Sequence, residues 1–364
     1  MTITRNRKDS VTFRVGMMAF LAGLGVSACG NADDAAETAP VEDSTQAVPS
    51  GTPAVAPTKA EKTADLDVAG GGAPVESHAV AQAGSQFAVI NGPEIFVAAE
   101  AQFPDSPSAV QRPNSEFTIG YSGTPTLPDG KWRVHDPERP RPEVVEPQGG
   151  VFVPPPSDAV VLFDGTSFDG FRTANDGAPD WVVENGSLRV PSDIPHTVSA
   201  DIISNREFGD AQYHIEWRSP QEPVSGSQGR GNSGIFLMGR YEVQVLDSYQ
   251  NETYADGQAS AIYGWKPPLN NATLPPGEWQ SYDIVFEAPR FDEAGELLSP
   301  AFVTVFHNGI LTQYRQNFLG SSGYQNILPY EAHPPQGPLR LQDHGNPVEY
   351  RNIWVRELDL DSND

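Results

Sequence analysis

Residues 226–249 read GSQGRGNSGIFLMGRYEVQVLDSY, and this stretch decides the fold. Two runs, 233–238 and 241–247, meet at Met238-Gly239-Arg240 and predict two β-strands joined there. In the second run Tyr241, Val243 and Val245 alternate with Glu242, Gln244 and Leu246. Successive side chains of a strand point to opposite faces, so one face is apolar and the other shows a carboxylate and an amide. Such a strand is suited to lining a polar cleft.

The same reading extends to two further runs. In 212–218, Tyr213, Ile215 and Trp217 oppose His214, Glu216 and Arg218. In 339–344, Leu339 and Leu341 oppose Arg340, Gln342 and His344. If the three strands are sheet neighbours, these polar groups converge on one site. The competing reading is a solvated outer face, and the absence of lysine from all three strands weighs against it. Asp247 falls on the apolar side and reads as a strand end that buttresses the next loop. Asp247, Glu242 and His344 are ligand types that suit a divalent metal, but no dense ligand spacing calls for one. The sequence requires no cofactor.

From 158 to 358 short apolar runs alternate with turn residues. VVLFDG, WVVENGSLRV, DIISN, AQYHIEWR, SYDIVFEAP, AFVTVFHNGILTQ, GPLRLQDHG and VEYRNIWVREL all read as strands. Asn185-Gly186 and Asn308-Gly309 are hairpin signals, because both turn positions need positive φ. No long run has the 3.6-residue helical period, so the domain is predicted to be all-β, an antiparallel sandwich or jelly roll. The polar, aromatic segment 249–280 is long for a plain connection, and long loops in compact domains are often functional. Gly229, Gly231 and Gly234 spell a dinucleotide fingerprint by letters only. They precede a strand without a strand–helix unit, so they read as turn glycines beside the cleft.

The amino-terminal part has a different composition. Arg5, Arg7, Lys8 and Arg14 precede a short apolar run, 15–26, and then Val26-Ser27-Ala28-Cys29. This pattern predicts a signal peptide over 1–29 ending in a lipobox, with Cys29 as the lipid attachment point. Gly30 after it suits outer-membrane sorting, in a protein facing the periplasm or the exterior. Cys29 is the only cysteine, so no disulfide forms within the chain. Residues 30–113 read as a low-complexity, disordered tether, with 86–90 and 94–99 left open between short strands and a helix. Residues 114–157 mix prolines with Trp132, Val134 and Tyr121 and read as an extended arm on the surface of the following domain. A second reading has Trp132, Arg133 and His135 reach the cleft. The formal net charge of −25 excludes nucleic acid and anionic membrane surfaces as electrostatic partners.

Three segments, NSGIFLMGRYEVQVLDSY, AIYGWKPPLNNATLPPGEWQSYDI and GPLRLQDHGNPVEYRNIWV, resemble the bacterial 3-keto-disaccharide hydrolase family. Its domain is also described as a 3-keto-glucoside 1,2-lyase and 3-keto-2-hydroxy-glucal hydratase. The resemblance spans about 158–358 and implies a concanavalin-like jelly roll, a secreted or periplasmic location and a role in sugar breakdown. It also implies a glycoside with an oxidised C3 as substrate, supplied by an upstream 3-dehydrogenase. The implied chemistry is C2 proton abstraction, β-elimination of the C1 substituent and hydration of the resulting glycal. It needs a base, an acid and a positive group beside the enolate oxygen. By face and residue type, Glu242 and His344 are candidates for base and acid, and Arg218 or Arg340 for the enolate. Gln244, Gln342, Asn232 and Glu216 are candidates to hold hydroxyls, and Tyr249, Tyr263 and Trp265 to stack on the sugar. Two alternatives stand beside this: a lectin-like module without catalysis, and an ordinary glycosidase using Glu216 and Glu242. For the lipid anchor, metabolic labelling with palmitate should mark the wild-type chain and leave Cys29→Ser unmarked. Equal labelling of both would refute the lipobox.

Overall fold

The computed structural model describes residues 107–173, 179–191 and 200–360, with the backbone of two strands, Phe87–Ile90 and Ile95–Ala98. The expected signal peptide, Cys29 and most of the expected tether lie outside the described residues. Phe87–Ile90 and Ile95–Ala98 pair antiparallel, which settles the choice between strand and helix there. The tether also ends earlier than 113, because Ser108–Gln111 pairs antiparallel with Thr118–Ser122.

The domain's strands, in chain order, are β1 (Val160–Phe163), β2 (Phe171–Thr173), β3 (Val182–Glu184), β4 (Ser187–Arg189), β5 (Ile202–Phe208) and β6 (Ala211–Arg218). They continue with β7 (Ser233–Leu237), β8 (Tyr241–Val245), β9 (Gln280–Glu287), β10 (Phe302–His307), β11 (Ile310–Asn317), β12 (Gly337–Leu341) and β13 (Glu349–Glu357). One sheet runs β8-β7-β12-β5-β2. The other runs β11-β10-β9-β6-β13-β4-β3, with β1 also on β13. Both are antiparallel, so the fold is the all-β sandwich that the alternation predicts.

The alternation locates the core. Tyr213, Ile215 and Trp217 of β6 face Ile235, Leu237, Val243, Leu339 and Leu341 of the smaller sheet, and all are fully buried. Tyr241 of β8 packs 5.7 Å from Phe286 of β9, centroid to centroid. Two hydroxyls fasten the sheets together: Tyr282 donates to Gln244 O at 2.8 Å and Tyr350 to Ser233 Oγ at 2.7 Å. Both Asn-Gly turns take the mirror-image conformation that the strand twist favours, with φ of 51° and 77° at Asn185-Gly186 and 52° and 77° at Asn308-Gly309.

The arm does more than lie on the surface. Leu127 and Val134 are fully buried and belong to the core cluster. Arg139 Nη1 donates to Trp265 O at 2.8 Å, and Val153 O accepts from Asn352 Nδ2 and Trp354 Nε1 at 3.0 Å each. Glu143–Val144 pairs with Asn270–Asn271 of the long loop. At Gly120 the chain passes so close that a Cβ would sit 2.6 Å from His135 O and from Pro137 N. Buried apolar contact and paired backbone groups thus hold the arm in one place. Leu127→Ala should therefore cost about 2–5 kcal/mol in chemical denaturation, as for a core leucine. A loss below about 0.5 kcal/mol would mean the arm is a removable strap.

Candidate active site

Register brings the polar residues of the smaller sheet into rows. Glu242 on β8 lies opposite Phe236 on β7, which lies opposite Arg340 on β12. In the next row Gln244 lies opposite Gly234, whose carbonyl accepts from Gln342 N at 3.0 Å. Glu242, Gln244, Phe236, Arg340 and Gln342 line a cleft of about 260 Å³. Asn232, Tyr263, His344 and the segment Ser322–Tyr324 complete its wall. Gly234 is required by space: a Cβ there would lie 2.6 Å from Glu242 Oε1 and 3.3 Å from Gln342 Oε1. Both side chains therefore reach over a bare patch of backbone.

The electrostatics follow from burial. Glu242 is only 6% exposed, and burial pushes its carboxyl up to about 8, with Arg340 opposing and Asp201 adding to the shift. Burial also lowers the Arg340 pKa, against the pull of Asp201 and Glu242. Arg340 Nη1 meets Asp201 Oδ2 at 3.2 Å, and the guanidinium lies 3.6 Å from the centre of the Phe236 ring. The Gln244 amide satisfies its neighbours when its nitrogen donates to Ser233 O at 3.0 Å and Glu242 Oε1 at 3.1 Å. Asn232 Nδ2 donates to Gln228 O at 2.7 Å.

Edge strand β8 is covered by the long loop. Gln244 N donates to Ala261 O at 3.0 Å, and Ser260 N donates to Gln244 O at 2.9 Å. On its cleft side Glu242 N donates to Ser322 Oγ at 2.9 Å. These bonds carry Tyr263 into the cleft wall, with its hydroxyl 2.9 Å from that of Tyr254. Burial, and next the Glu242 charge, hold the Tyr263 phenol well above its ordinary pKa. Behind this pair sits His135 of the arm, fully buried, with its ring 4.0 Å from Tyr254 and 4.9 Å from Tyr263. Its backbone N donates to Asp256 Oδ2 at 2.9 Å, and Nδ1 lies 3.3 Å from Oδ1. Burial opposes ionisation of Asp256, but His135 and Arg139 outweigh it and its pKa is lowered.

Other expected site residues lie elsewhere. Arg218 and Glu216 are on β6 of the larger sheet, on the face turned away from the core. Arg218 Nη2 meets both Glu349 oxygens at 2.9 Å and stacks 4.6 Å from Trp279. Glu216 is held by Arg351 at 2.7 Å and Asn352 at 2.8 Å. The core lies between them and the cleft, so Glu216 and Glu242 cannot flank one glycosidic bond. Trp265 is 2% exposed, with Nε1 donating to Asn317 O at 2.9 Å, so it packs the core and cannot stack on a ligand. Tyr249 does not line the cleft; its amide donates to Asp247 Oδ1 at 3.2 Å. Asp247 Oδ2 is engaged by Arg230 Nε at 2.7 Å, while its Oδ1 takes the Tyr249 amide of the next loop. Among the described residues no three His, Cys, Asp or Glu side chains are grouped to hold a metal ion. Trp132 packs on the core, and Arg133 Nη1 is spent on Thr124 O at 2.7 Å. Phe236, Ser322, Gly323 and Tyr324 line the cleft without having been expected there.

An all-β sandwich whose smaller sheet carries a polar cleft with aromatic side chains in its wall is a small-molecule site of ordinary construction. Residues 158–356 match the sequence profile of the 3-keto-alpha-glucoside-1,2-lyase-like domain, and the chain belongs to that family. A Bacteroides thetaiotaomicron protein named 3-keto-disaccharide hydrolase is 24% identical over 246 residues, 55% of this chain and 78% of that protein. The crystal structure of a candidate glycosyl hydrolase from Parabacteroides distasonis is 42% identical, with a TM-score of 0.53, over 60% of this chain and 93% of that one.

The Glu242 shift has a consequence for stability. Its folded pKa of about 8 exceeds the ordinary 4.5, so between these values the native state keeps a proton that the unfolded chain has lost. Stability therefore falls as pH rises through that window, by on the order of 5 kcal/mol at about 1.4 kcal/mol per pH unit. Glu242→Gln removes this slope. Denaturant titrations at pH 5 and pH 9 should show the variant gaining on wild type by a few kcal/mol at the higher pH. Parallel pH profiles would mean the carboxyl is solvated.

Proposed function

We propose that this protein hydrolyses 3-keto-glycosides, the 3-keto-disaccharides above all, by elimination followed by hydration in the one cleft. The ketone at C3 acidifies the C2 hydrogen. His344 removes that proton, and Arg340 stabilises the enolate oxygen that develops at C3. The enolate then reforms the ketone and expels the C1 oxygen, which takes the proton of Glu242. At this point His344 holds the C2 proton and Glu242 is a carboxylate. In the second half Glu242 takes a proton from a water that adds at C1, and His344 returns its proton to C2. Both groups end as they began, and the sum is addition of one water across the glycosidic bond. Gln244, Gln342 and Asn232 hold sugar hydroxyls.

The observation that carries this reading is the buried Glu242, with a pKa of about 8, sharing one cleft with Arg340 and His344. A carboxyl protonated at neutral pH is a poor base and a competent acid, so the roles left open by residue type divide accordingly. Membership of the family supports the keto-sugar substrate. An ordinary glycoside lacks the acidified C2–H, so an enzyme that oxidises C3 must act first. Acylation at Cys29 would keep the reaction at the cell envelope.

The test is sugar release from a 3-keto-disaccharide and from its unoxidised parent. Release is expected from the keto sugar alone. Glu242→Gln should lower kcat about 10²–10⁴-fold, and Arg340→Met about 10²–10³-fold. In the wild type kcat/KM should fall as pH rises past about 8, where the acid is lost. Equal cleavage of both sugars, or full activity in Glu242→Gln, would contradict the assignment.

A further inference from the structure

The cleft, at about 260 Å³, is smaller than the roughly 300–1,000 Å³ typical of pockets that enclose drug-sized ligands. A space of that order matches one hexose ring, which leaves the second ring of a disaccharide to extend across the rim. At that rim stands Tyr324, which lines the cleft and is 60% exposed.

A lone exposed tyrosine on a protein surface is ordinary. Tyr324 differs in how firmly it is held. Its hydroxyl donates to that of Tyr121 at 2.7 Å, and the two rings meet edge to face with centroids 5.9 Å apart. Tyr121 is placed by the arm: its amide donates to His135 O at 2.8 Å, and His135 is bound by Asp256. The chain just before Tyr324 is fastened to β8, with Ser322 N donating to Arg240 O at 2.9 Å and Ser322 Oγ accepting from Glu242 N. A large ring is thus fixed in position, while most of its surface stays in water. Aromatic rings with a polar tip are suited to partners that are apolar on one side and hydroxylated at the edge, as a pyranose is.

We propose that Tyr324, braced by Tyr121, is the platform for the leaving-group sugar of a disaccharide, and that the arm thereby sets leaving-group preference. The platform depends on Tyr121 and His135, which lie outside the family-matched residues 158–356. The proposal rests on the hydrolytic reading above for what the cleft itself holds.

The experiment compares a 3-keto-disaccharide with methyl 3-keto-glucoside, which has no second ring. For wild type, Tyr324→Ala and Tyr121→Ala, the readout is the ratio of kcat/KM for the two substrates. That ratio should fall about three- to tenfold in Tyr324→Ala, the size expected for loss of one aromatic contact. A smaller fall is expected in Tyr121→Ala, with Tyr121→Phe between it and wild type. In parallel, calorimetry in a Glu242→Gln background measures binding of the same two sugars without turnover. The affinity advantage of the disaccharide should shrink by the same factor on adding Tyr324→Ala. If wild type cleaves neither substrate, the hydrolytic reading falls and calorimetry still decides the platform. An unchanged ratio of affinities in Tyr324→Ala, or no advantage for the disaccharide in the parent, would overturn it.

Discussion

A carboxyl group taken out of water must be neutralised by a partner or keep its proton. Glu242 keeps its proton, and much of the surrounding structure follows from where it sits. It lies on β8, the edge strand of the smaller sheet, where unpaired backbone groups would ordinarily meet solvent. The loop after β8 covers that edge through Ser260 and Ala261. The loop also brings Tyr263 to the cleft and Asp256 to His135, and Asp256 draws in the arm. Covering one edge strand therefore builds the wall of the cleft and ties the segment before the domain to it.

The two outward faces of the sandwich treat their charges differently. On the larger sheet the polar side chains are closed pairs: Arg218 with Glu349, Arg351 with Glu216, and His214 with Asp283 at 2.7 Å. For His214 burial works against the charge, but the hydrogen bonds to Asp283 and Glu216 outweigh it and its pKa is raised. Groups so matched have little left for a ligand. On the cleft face a raised carboxyl sits one phenyl ring away from a guanidinium whose own pKa is lowered. Pairs of groups displaced from their ordinary values in a concave site are where acid–base work is expected.

Much of this was legible in the sequence, and the failures have physical causes. Period-2 alternation is local, so 233–247 and 339–344 revealed both their strands and the shared face of Glu242, Gln244, Arg340, Gln342 and His344. The same pattern in 212–218 gave the faces of Glu216 and Arg218 correctly but not their sheet. A sandwich has two outward faces, and alternation cannot say to which a strand contributes. Phe236 escaped notice because Ile235-Phe236-Leu237 is an unbroken apolar run, although Phe236 points to the cleft beside Arg340. Trp265 looked available because its loop is polar, but that loop folds inward and spends its aromatic residue on the core. Tyr324 lies in irregular chain with no periodicity to read. Only its place beside Tyr121, 203 residues earlier, marks it.

The most direct measurement is a crystal structure of Glu242→Gln soaked with a 3-keto-disaccharide. The keto ring should occupy the cleft, with its C3 oxygen toward Arg340, its C2 hydrogen toward His344 and the glycosidic oxygen toward residue 242. A sugar bound only on the outward face of the larger sheet, or seated in the cleft with its ketone turned away from Arg340, would contradict this account.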